Sequence, residues 1–317
     1  MNNHYILTNE EKTELFILQK QLEPLEPFKQ MVEFTKKAKE LSNCLPLPIR
    51  IFLDKFKEGK LKDDIVLFKN LPIPENIQTP ENNLSHLGES TILARCQALF
   101  NQYTGNMLSY EAEGKGHLFQ DMVPNHALKN TQTSLGSAIE LELHTEQAFS
   151  PLKPDYLCLG CIRGDKQAKT YFLHVDAILT NLSTEYQACL KDELWTMGVD
   201  LSFILNGCNA NTRGPIAIYN NNELIFDQDL MNGVSEKADI VKQEIINIYL
   251  THRKHIILEK GDLLVINNRK IVHGRSPFLP NFNGEDRFII RSFICNDLDR
   301  VTSSFEQGTY IVKTKYS

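Results

Sequence analysis

Leu143-His144-Thr145-Glu146-Gln147-Ala148-Phe149-Ser150-Pro151 is the stretch of this 317-residue chain that says most about its fold and its chemistry. Far downstream the chain reads Val272-His273-Gly274-Arg275-Ser276-Pro277-Phe278, and Arg287 follows. Two imidazoles and one carboxylate are the ligand set of a mononuclear non-haem Fe(II) site with open coordination positions. We therefore predict that His144, Glu146 and His273 bind one Fe(II) ion. Since His273 is distant in sequence, the fold must bring remote segments together.

The composition is that of an ordinary globular protein, with 42% hydrophobic and 23% charged residues. The net charge is −6 and no basic block is present, so we expect neither nucleic acid nor membrane as a partner. The apolar runs are too short to span a bilayer, and the N-terminus does not read as a signal segment. Seven scattered cysteines, an odd number, indicate reduced thiols. We expect a cytoplasmic protein that acts on a small molecule; a homo-oligomer stays open.

The N-terminal part, residues 1–117, is predicted to be mainly helical. Thr8-x-x-Glu11 is a capping-box pattern before apolar residues at helical spacing, and helical periodicity continues through most of 8–70. Residues 71–90 contain three prolines and read as a long surface connection. A further helix is predicted over 91–103.

From about residue 118 the pattern changes to short strands separated by turn signals. Helical segments are predicted near 184–197 and 235–251. Many short strands of this kind favour an antiparallel sandwich or a jelly roll. The predicted strands are 139–143, 156–162, 170–175, 216–219, 223–226, 263–266 and 288–294.

The two stretches quoted above, together with Pro154-Asp155-Tyr156, Asp286-Arg287 and Arg291-Ser292, resemble the clavaminate synthase-like branch of the Fe(II)/2-oxoglutarate oxygenases. The resemblance runs from about 118 to 296. It implies an all-β core with helices (α+β), namely a double-stranded β-helix or jelly roll buttressed by N-terminal and inserted helices. One oxygenase domain would then span 1–317, with the jelly-roll core over 118–317 and a lid near 226–233.

The same resemblance implies the cosubstrates. O2 and 2-oxoglutarate would become succinate and CO2 while a C–H bond is hydroxylated. Arg287 occupies the family position that holds the distal carboxylate of 2-oxoglutarate, a task for which the planar guanidinium fork is well suited. Thr170 matches the hydroxyl that hydrogen-bonds the same carboxylate.

For the amino-acid substrate, the resemblance implies that Arg291 and Ser134 bind the α-carboxylate. Glu113 contacts the α-amino group, with help from Glu146. Arg291 shares a strand face with Arg287, because the two lie four residues apart. The alternative for Arg291 is a structural ion pair beside the metal site.

The segment Phe226-Asp227-Gln228-Asp229-Leu230-Met231 resembles the family's mobile lid. Two carboxylates at Asp227 and Asp229 can clamp a cationic side chain when the lid closes. The alternative is a solvated acidic loop.

The leading hypothesis is hydroxylation of a free cationic amino acid, L-lysine at C4 or C3. L-arginine, or an amino acid bound to a carrier, is the alternative substrate. A catalytically silent jelly-roll module that retains a metal is the non-enzymatic alternative, and the intact ligand set with Arg287 speaks against it.

Three other patterns imitate metal sites and are expected to be structural. Cys158-x-x-Cys161 would place its thiols on opposite faces of a strand. His252 and His255 lie near a predicted helix end. His174-x-Asp176 lacks the residues that flank His144 and Glu146.

Overall fold

The computed structural model describes residues 3–317. Within them, the α-helices are α1 (Asn9–Lys20), α2 (Met31–Ser42), α3 (Leu47–Lys57), α4 (Ile92–Thr104), α5 (Val175–Asn181), α6 (Thr184–Cys189), α7 (Leu201–Leu205), α8 (Glu236–His252) and α9 (Asp299–Thr302). The strands of the same residues are β1 (His4–Ile6), β2 (Ile65–Lys69), β3 (Asn106–Tyr110), β4 (Gln120–Met122), β5 (Leu141–His144), β6 (Tyr156–Arg163), β7 (Lys169–His174), β8 (Trp195–Met197), β9 (Arg213–Ile216), β10 (Tyr219–Asn220), β11 (Glu223–Leu224), β12 (Met231–Gly233), β13 (Lys254–Ile257), β14 (Leu263–Asn267), β15 (Ile271–Arg275), β16 (Phe288–Cys295) and β17 (Ile311–Val312).

Two sheets carry the core. The large sheet has the order β1-β2-β14-β6-β16-β3-β17, with β4 also paired to β16. The smaller sheet has the order β13-β7-β15-β5, and all its pairings are antiparallel. One pocket is lined by residues of both sheets, so the sheets face each other there. The fold is therefore α+β, with a mixed sheet, a second antiparallel sheet and packed helices.

Alternation along the large sheet explains its burial on both faces. Leu157 and Leu159 of β6 belong to the apolar cluster shared with the smaller sheet. The intervening Cys158 belongs to a second cluster, which includes the buried side chains of α1 to α4. Successive side chains of a strand point to opposite faces, so one face meets the other sheet and the opposite face meets the helices. All eight residues of β16 are buried for this reason.

Helix α4 reaches the middle of the large sheet through polar side chains as well. Gln97 and Asn101 donate from their amide nitrogens to the Ser292 hydroxyl at 2.6 and 2.7 Å. Gly160 makes room for this contact, because a Cβ there would lie 2.4 Å from the Gln97 side-chain oxygen. The N-terminal helices are thus joined to the strand that carries Arg291.

Much of the predicted secondary structure is confirmed. Thr8 caps α1 with the reciprocal hydrogen bonds of a capping box to Glu11. Residues 71–90 form a connection whose only regular element is a short 3-10 turn at Leu87–Ser90. Helix α8 begins after the N-cap Ser235. All seven cysteines are unpaired, and in residues 3–317 no helix is long and apolar enough to cross a membrane.

Other element predictions are wrong. Residues 65–69 are strand β2 rather than helix, and β2 and β3 both belong to the large sheet although they precede residue 118. The predicted helix over 184–197 ends at Cys189, and Trp195–Met197 pairs as a strand with β9 and β12. The single strand predicted over 216–219 is divided between β9 and β10.

Candidate active site

His144, Glu146 and His273 form the one cluster of potential metal-ligating side chains found among residues 3–317. One ligand atom from each lies within 4.8 Å of the others. His144 ends β5 and is paired directly with His273 of β15, so the two rings lie side by side with centroids 4.4 Å apart. Glu146 follows β5 by two residues. The remote third residue is therefore brought back by strand pairing.

The ring nitrogens of both histidines suit metal binding. The Nδ1 atom of His144 lies 2.8 Å from the carbonyl oxygen of Glu142 and can donate to it. This contact leaves Nε2 of His144 as the free electron-pair donor. The Nε2 atom of His273 lies 3.5 Å from Glu146 Oε1, and its buried Nδ1 has no hydrogen-bond partner. Burial, together with the His144 imidazole, lowers the pKa of His273 and favours the neutral ring.

Glu146 is held by its backbone and kept ionised by its surroundings. The Asn268 side chain accepts from Glu146 N at 2.7 Å and donates to Glu146 O at 3.2 Å. Burial alone would raise the pKa of Glu146, but Arg291 and the two imidazoles outweigh it and hold that pKa well below its usual range. Two neutral imidazoles and one carboxylate are a donor set that fits Fe(II). Asn268 was not predicted from the sequence. Its position just after a predicted strand was the only available signal.

Arg291 is engaged by protein side chains. Its Nη2 donates to Glu113 Oε1 at 3.0 Å and to Gln120 Oε1 at 2.6 Å, and its Nε also donates to Gln120. Its Nη1 lies 3.4 Å from Glu146 Oε2. The ion pair that was the alternative for Arg291 is therefore present. Because Nη1 carries two N–H groups and makes one contact, Arg291 keeps a donor for a ligand.

The pocket beside these residues lies between the two sheets. At one end Arg287, 8% exposed, makes no hydrogen bond or ion pair with any of residues 3–317, and burial lowers its pKa. Thr170 lines the same pocket from β7. A buried guanidinium without a counter-charge is costly, which points to an anionic ligand at this end. The pocket-lining residues are Met122, Ser134, Leu141, His144, Glu146, Leu157, Leu159, Thr170, His273, Gly274, Arg275, Arg287, Ile289 and Arg291.

A second arginine at this end, Arg275, was not among the predicted site residues. It is 5% exposed and lines the pocket two residues after His273 on β15. Burial and the neighbouring Arg287 charge lower the pKa of Arg275 to about 9. Its place in the quoted stretch, at the strand spacing that returns to the His273 face, was the available signal.

The predicted lid segment adjoins the histidine cluster through its backbone. Phe226 O accepts from Thr145 N at 2.8 Å, and Gln228 N donates to Leu143 O at 2.9 Å. Asp227 itself forms an isolated bridge with His144. The segment therefore extends the pairing of β5, next to the predicted metal ligands.

The two acids of this segment differ in environment. Asp227 is half-buried, and its Oδ1 accepts from the backbone nitrogens of Asp229 and Leu230 at 3.0 and 2.8 Å. Burial raises the pKa of Asp227. Asp229 is exposed. Neither acid lines the pocket described above. Lys242 of α8 reaches towards them and donates to the carbonyl of Met231.

The three other patterns that resemble metal sites lie in strands, at a helix cap or at a helix end. Cys158 and Cys161 are buried in β6 and belong to different apolar clusters. His174 caps α5 by accepting from Asp176 N, and its Nε2 lies 2.8 Å from Asp64. His252 ends α8, and His255 lies on β13.

Known proteins similar to this chain include amino-acid hydroxylases and clavaminate synthase. The L-lysine 3-hydroxylase of Catenulispora acidiphila is 41% identical over 293 residues, which cover 90% of this chain and 82% of that protein. Clavaminate synthase 2 of Streptomyces clavuligerus is 27% identical over 309 residues, covering 94% of each. No protein-family model matches the chain.

A solved structure shares the fold over nearly the whole chain. Asparagine oxygenase, crystallised with Fe(II), 2S,3S-3-hydroxyasparagine and succinate, superposes with a TM-score of 0.91. The match covers 98% of this chain and 99% of that chain at 24% sequence identity. The likeness in backbone therefore extends well beyond the two motifs.

Proposed function

The chain belongs to the clavaminate synthase-like Fe(II)/2-oxoglutarate-dependent amino-acid hydroxylases, and we propose that its substrate is free L-lysine, hydroxylated at C3. The 41% identity to an L-lysine 3-hydroxylase carries this choice of substrate and carbon. It favours C3 over C4, the other position predicted from the sequence. On this proposal the two facing sheets form a double-stranded β-helix buttressed by the N-terminal and inserted helices.

On this proposal the iron is held by His144, Glu146 and His273. One possible ligand atom of each lies within 4.8 Å of the others, which supports this role. Arg287 pairs with the distal carboxylate of 2-oxoglutarate, and Thr170 donates its hydroxyl to the same group. Bound Fe(II) supplies the activation of O2 that couples conversion of 2-oxoglutarate to succinate and CO2 with hydroxylation of a C–H bond. The residues of the chain hold the reactants in the pocket between the sheets.

The α-amino and α-carboxylate groups of the substrate bind around Arg291. Its remaining Nη1 donor and the hydroxyl of Ser134 receive the carboxylate, and Glu113, 3.0 Å from Arg291, receives the ammonium. Glu146 adds negative charge on the same side. An amino acid in its zwitterionic form matches this neighbouring pair of opposite charges.

The side-chain ammonium is received by Asp227 and Asp229 when the 226–231 segment closes. Asp227 supports this role because it is half-buried beside His144 rather than fully solvated. L-arginine is the second candidate substrate, since the same two carboxylates accept a guanidinium bidentately.

The test is substrate-stimulated succinate release by the purified, Fe(II)-loaded enzyme with 2-oxoglutarate and O2. The panel is L-lysine, L-arginine, L-ornithine and norleucine, and NMR of the product identifies the hydroxylated carbon. We expect L-lysine to stimulate most and to yield 3-hydroxylysine. Equal stimulation by norleucine, or preference for a neutral or acidic amino acid, would reject the substrate; release unaffected by every amino acid would favour a carrier-bound one.

A further inference from the structure

Arg275 and Arg287 form a pair of buried arginines at one end of the pocket. The Cζ atom of Arg275 lies 5.0 Å from the ring centre of Phe278, and that of Arg287 lies 5.8 Å from the same ring. Arg275 is also paired across the strands with Thr170. Across the described 3–317 range, neither arginine forms an ion pair with a carboxylate. Two positive charges therefore share this end without an ion-pair partner among the described residues.

Arg275 satisfies only part of its hydrogen-bonding capacity with the protein. Its Nη1 donates to Ser134 O at 3.0 Å and its Nη2 to Gly136 O at 2.6 Å, while Nε contacts Ser276 O at 3.3 Å. A guanidinium has five N–H groups, so one remains on each Nη atom. The three partners are neutral carbonyls, which do not cancel its charge.

We infer that Arg275 binds the distal carboxylate of 2-oxoglutarate together with Arg287, and that it thereby couples cosubstrate binding to the segment 134–136. The inference rests on the proposed function, because it takes 2-oxoglutarate as the ligand. It adds Arg275 to Arg287 as a residue that binds the cosubstrate, and it assigns to Arg275 the coupling to residues 134–136 as well. A carboxylate has enough acceptor sites for both guanidinium groups.

The coupling follows from the two sides of one planar group. The Arg275 guanidinium holds the backbone of Ser134 and Gly136, and Arg275 also lines the pocket. A carboxylate that fixes the guanidinium also fixes those carbonyls, and Ser134 lines the amino-acid site. The first ligand to bind orders the segment 134–136, so the second ligand loses less conformational entropy when it binds. Cosubstrate and amino acid therefore strengthen each other's binding reciprocally.

The first test compares Arg275→Met with Arg275→Lys by calorimetry on Mn(II)-loaded protein. The ligands are 2-oxoglutarate and 2-oxopentanoate, which lacks the distal carboxylate. Losing a charge-assisted hydrogen bond should weaken 2-oxoglutarate binding by Arg275→Met about tenfold or more. Binding of 2-oxopentanoate should not change. Arg213→Met is the matched control, because Arg213 also donates to backbone carbonyls but lies outside the pocket lining.

The ratio of the two affinities separates a ligand-binding role from a structural one. If Arg275→Met keeps the wild-type preference for 2-oxoglutarate, Arg275 does not bind the distal carboxylate and the inference is wrong. If the wild-type protein itself shows no preference, the proposed function fails instead. Should Arg275→Met not fold, Arg275→Gln decides: it keeps N–H donors for a backbone carbonyl but removes the charge, so a lost preference for 2-oxoglutarate supports the inference and a wild-type preference refutes it.

The second test measures amide hydrogen exchange in residues 129–138 with and without 2-oxoglutarate, again with Mn(II). We expect exchange to slow several-fold on binding in the wild-type protein. In Arg275→Lys, whose ammonium cannot hold both carbonyls in the same fork, the slowing should be lost although 2-oxoglutarate still binds. Unchanged exchange in the wild type, at saturating 2-oxoglutarate, would refute the coupling.

Discussion

Arg287 carries its charge at the buried end of the pocket, and none of residues 3–317 forms an ion pair or hydrogen bond with it. The sequence identified the residue through its spacing from His273. The sequence could not show how many protein groups contact Arg287, because that number depends on side chains from several strands. The unmet charge is the structural reason to expect an anion there.

Arg287→Met should weaken binding of 2-oxoglutarate by roughly 1.5–3 kcal/mol, the usual range for hydrogen bonds to charged groups. The apparent 2-oxoglutarate requirement should rise about tenfold to a hundredfold, with little change in the L-lysine requirement at saturating cosubstrate. Steady-state succinate release measures both quantities. Arg287→Lys, which keeps the charge but loses the fork, should fall between the two proteins. An unchanged 2-oxoglutarate requirement in Arg287→Met would contradict the assignment.

The buried carboxyl group of Asp121 is expected to make the stability of the fold depend on pH. Its side chain is fully buried, and it accepts from Gly88 N at 2.9 Å and from the Ser85 hydroxyl at 3.3 Å. Burial raises the pKa of Asp121 from its ordinary value of 3.8 to about 6. The folded state therefore binds more protons than the unfolded state between these values, so Asp121 lowers stability as pH rises through that window.

Asp121→Asn should remove this pH-dependent cost while its side-chain oxygen still accepts from Gly88. At about 1.4 kcal/mol per pKa unit, the wild type should lose up to about 3 kcal/mol relative to the variant between pH 4 and pH 7. Urea unfolding at both pH values gives the difference. Other carboxyl groups titrate equally in both proteins and cancel. A constant difference across this range would show that Asp121 does not titrate there.

At the scale of elements, the pairing of β5 with β15 builds the histidine cluster, and the 226–231 segment extends it. The backbones of Phe226 and Gln228 hydrogen-bond to the residues on either side of His144. Movement of this segment would therefore displace His144. The single Asp227 carboxylate oxygen that accepts two backbone N–H groups stabilises the turn that follows.

Asp227→Asn should reduce the preference for L-lysine over norleucine, because it removes a carboxylate while keeping an oxygen for the turn. The loss should reach roughly 1.5–3 kcal/mol, about tenfold or more in relative kcat/KM. Asp229→Asn should have a smaller effect, since Asp229 is exposed and better screened. Asp192→Asn, an exposed residue outside the segment, serves as the control. Equal preference in Asp227→Asn and the wild type would exclude the clamp.

Sequence periodicity predicted the long elements better than the short ones. Helix α8 carries its own cap at Ser235 and repeated apolar positions, so local residues determine it. Residues 65–69 are a short apolar run, which suits either a buried helix or a strand. They are a strand because β14 and β1 pair with them on either side, and those neighbours are remote in sequence.

The same distinction applies to the site. Residue types and spacing predicted the cluster of His144, Glu146 and His273. Contacts made across the fold were beyond local pattern, such as those of Asn268 with Glu146 and of Gln120 with Arg291. Arg275 was quoted in the sequence motif, but its unpaired charge becomes visible only when its surroundings are known.

For the whole molecule, the large sheet separates two apolar clusters, one shared with the smaller sheet and the other with the N-terminal helices. The histidine cluster lies beside Leu143 and Val272 of the first cluster and links the neighbouring strands β5 and β15. A ligand bound there holds elements that come from distant parts of the chain. Such a ligand adds its binding free energy to the stability of the folded state.

Mn(II) should therefore raise the melting temperature of the metal-free protein. At a free concentration about 100 times the Kd, linkage gives about 2.7 kcal/mol of added stability. Thermal unfolding in EDTA and in Mn(II) measures the shift. In His273→Ala the shift should largely disappear, whatever that substitution does to the metal-free melting temperature. A shift of full size in His273→Ala would place the metal elsewhere.

The register that sets His273 beside His144 also has a consequence for biosynthesis. Translation makes His144 and Glu146 more than a hundred residues before His273, Arg287 and Arg291. A ribosome-bound intermediate that stops before β15 would have only two of the three proposed ligands. On the proposed ligand set, iron would be bound completely only after most of the residues around the site have been synthesised, so the immature polypeptide would not hold a fully ligated but open metal centre.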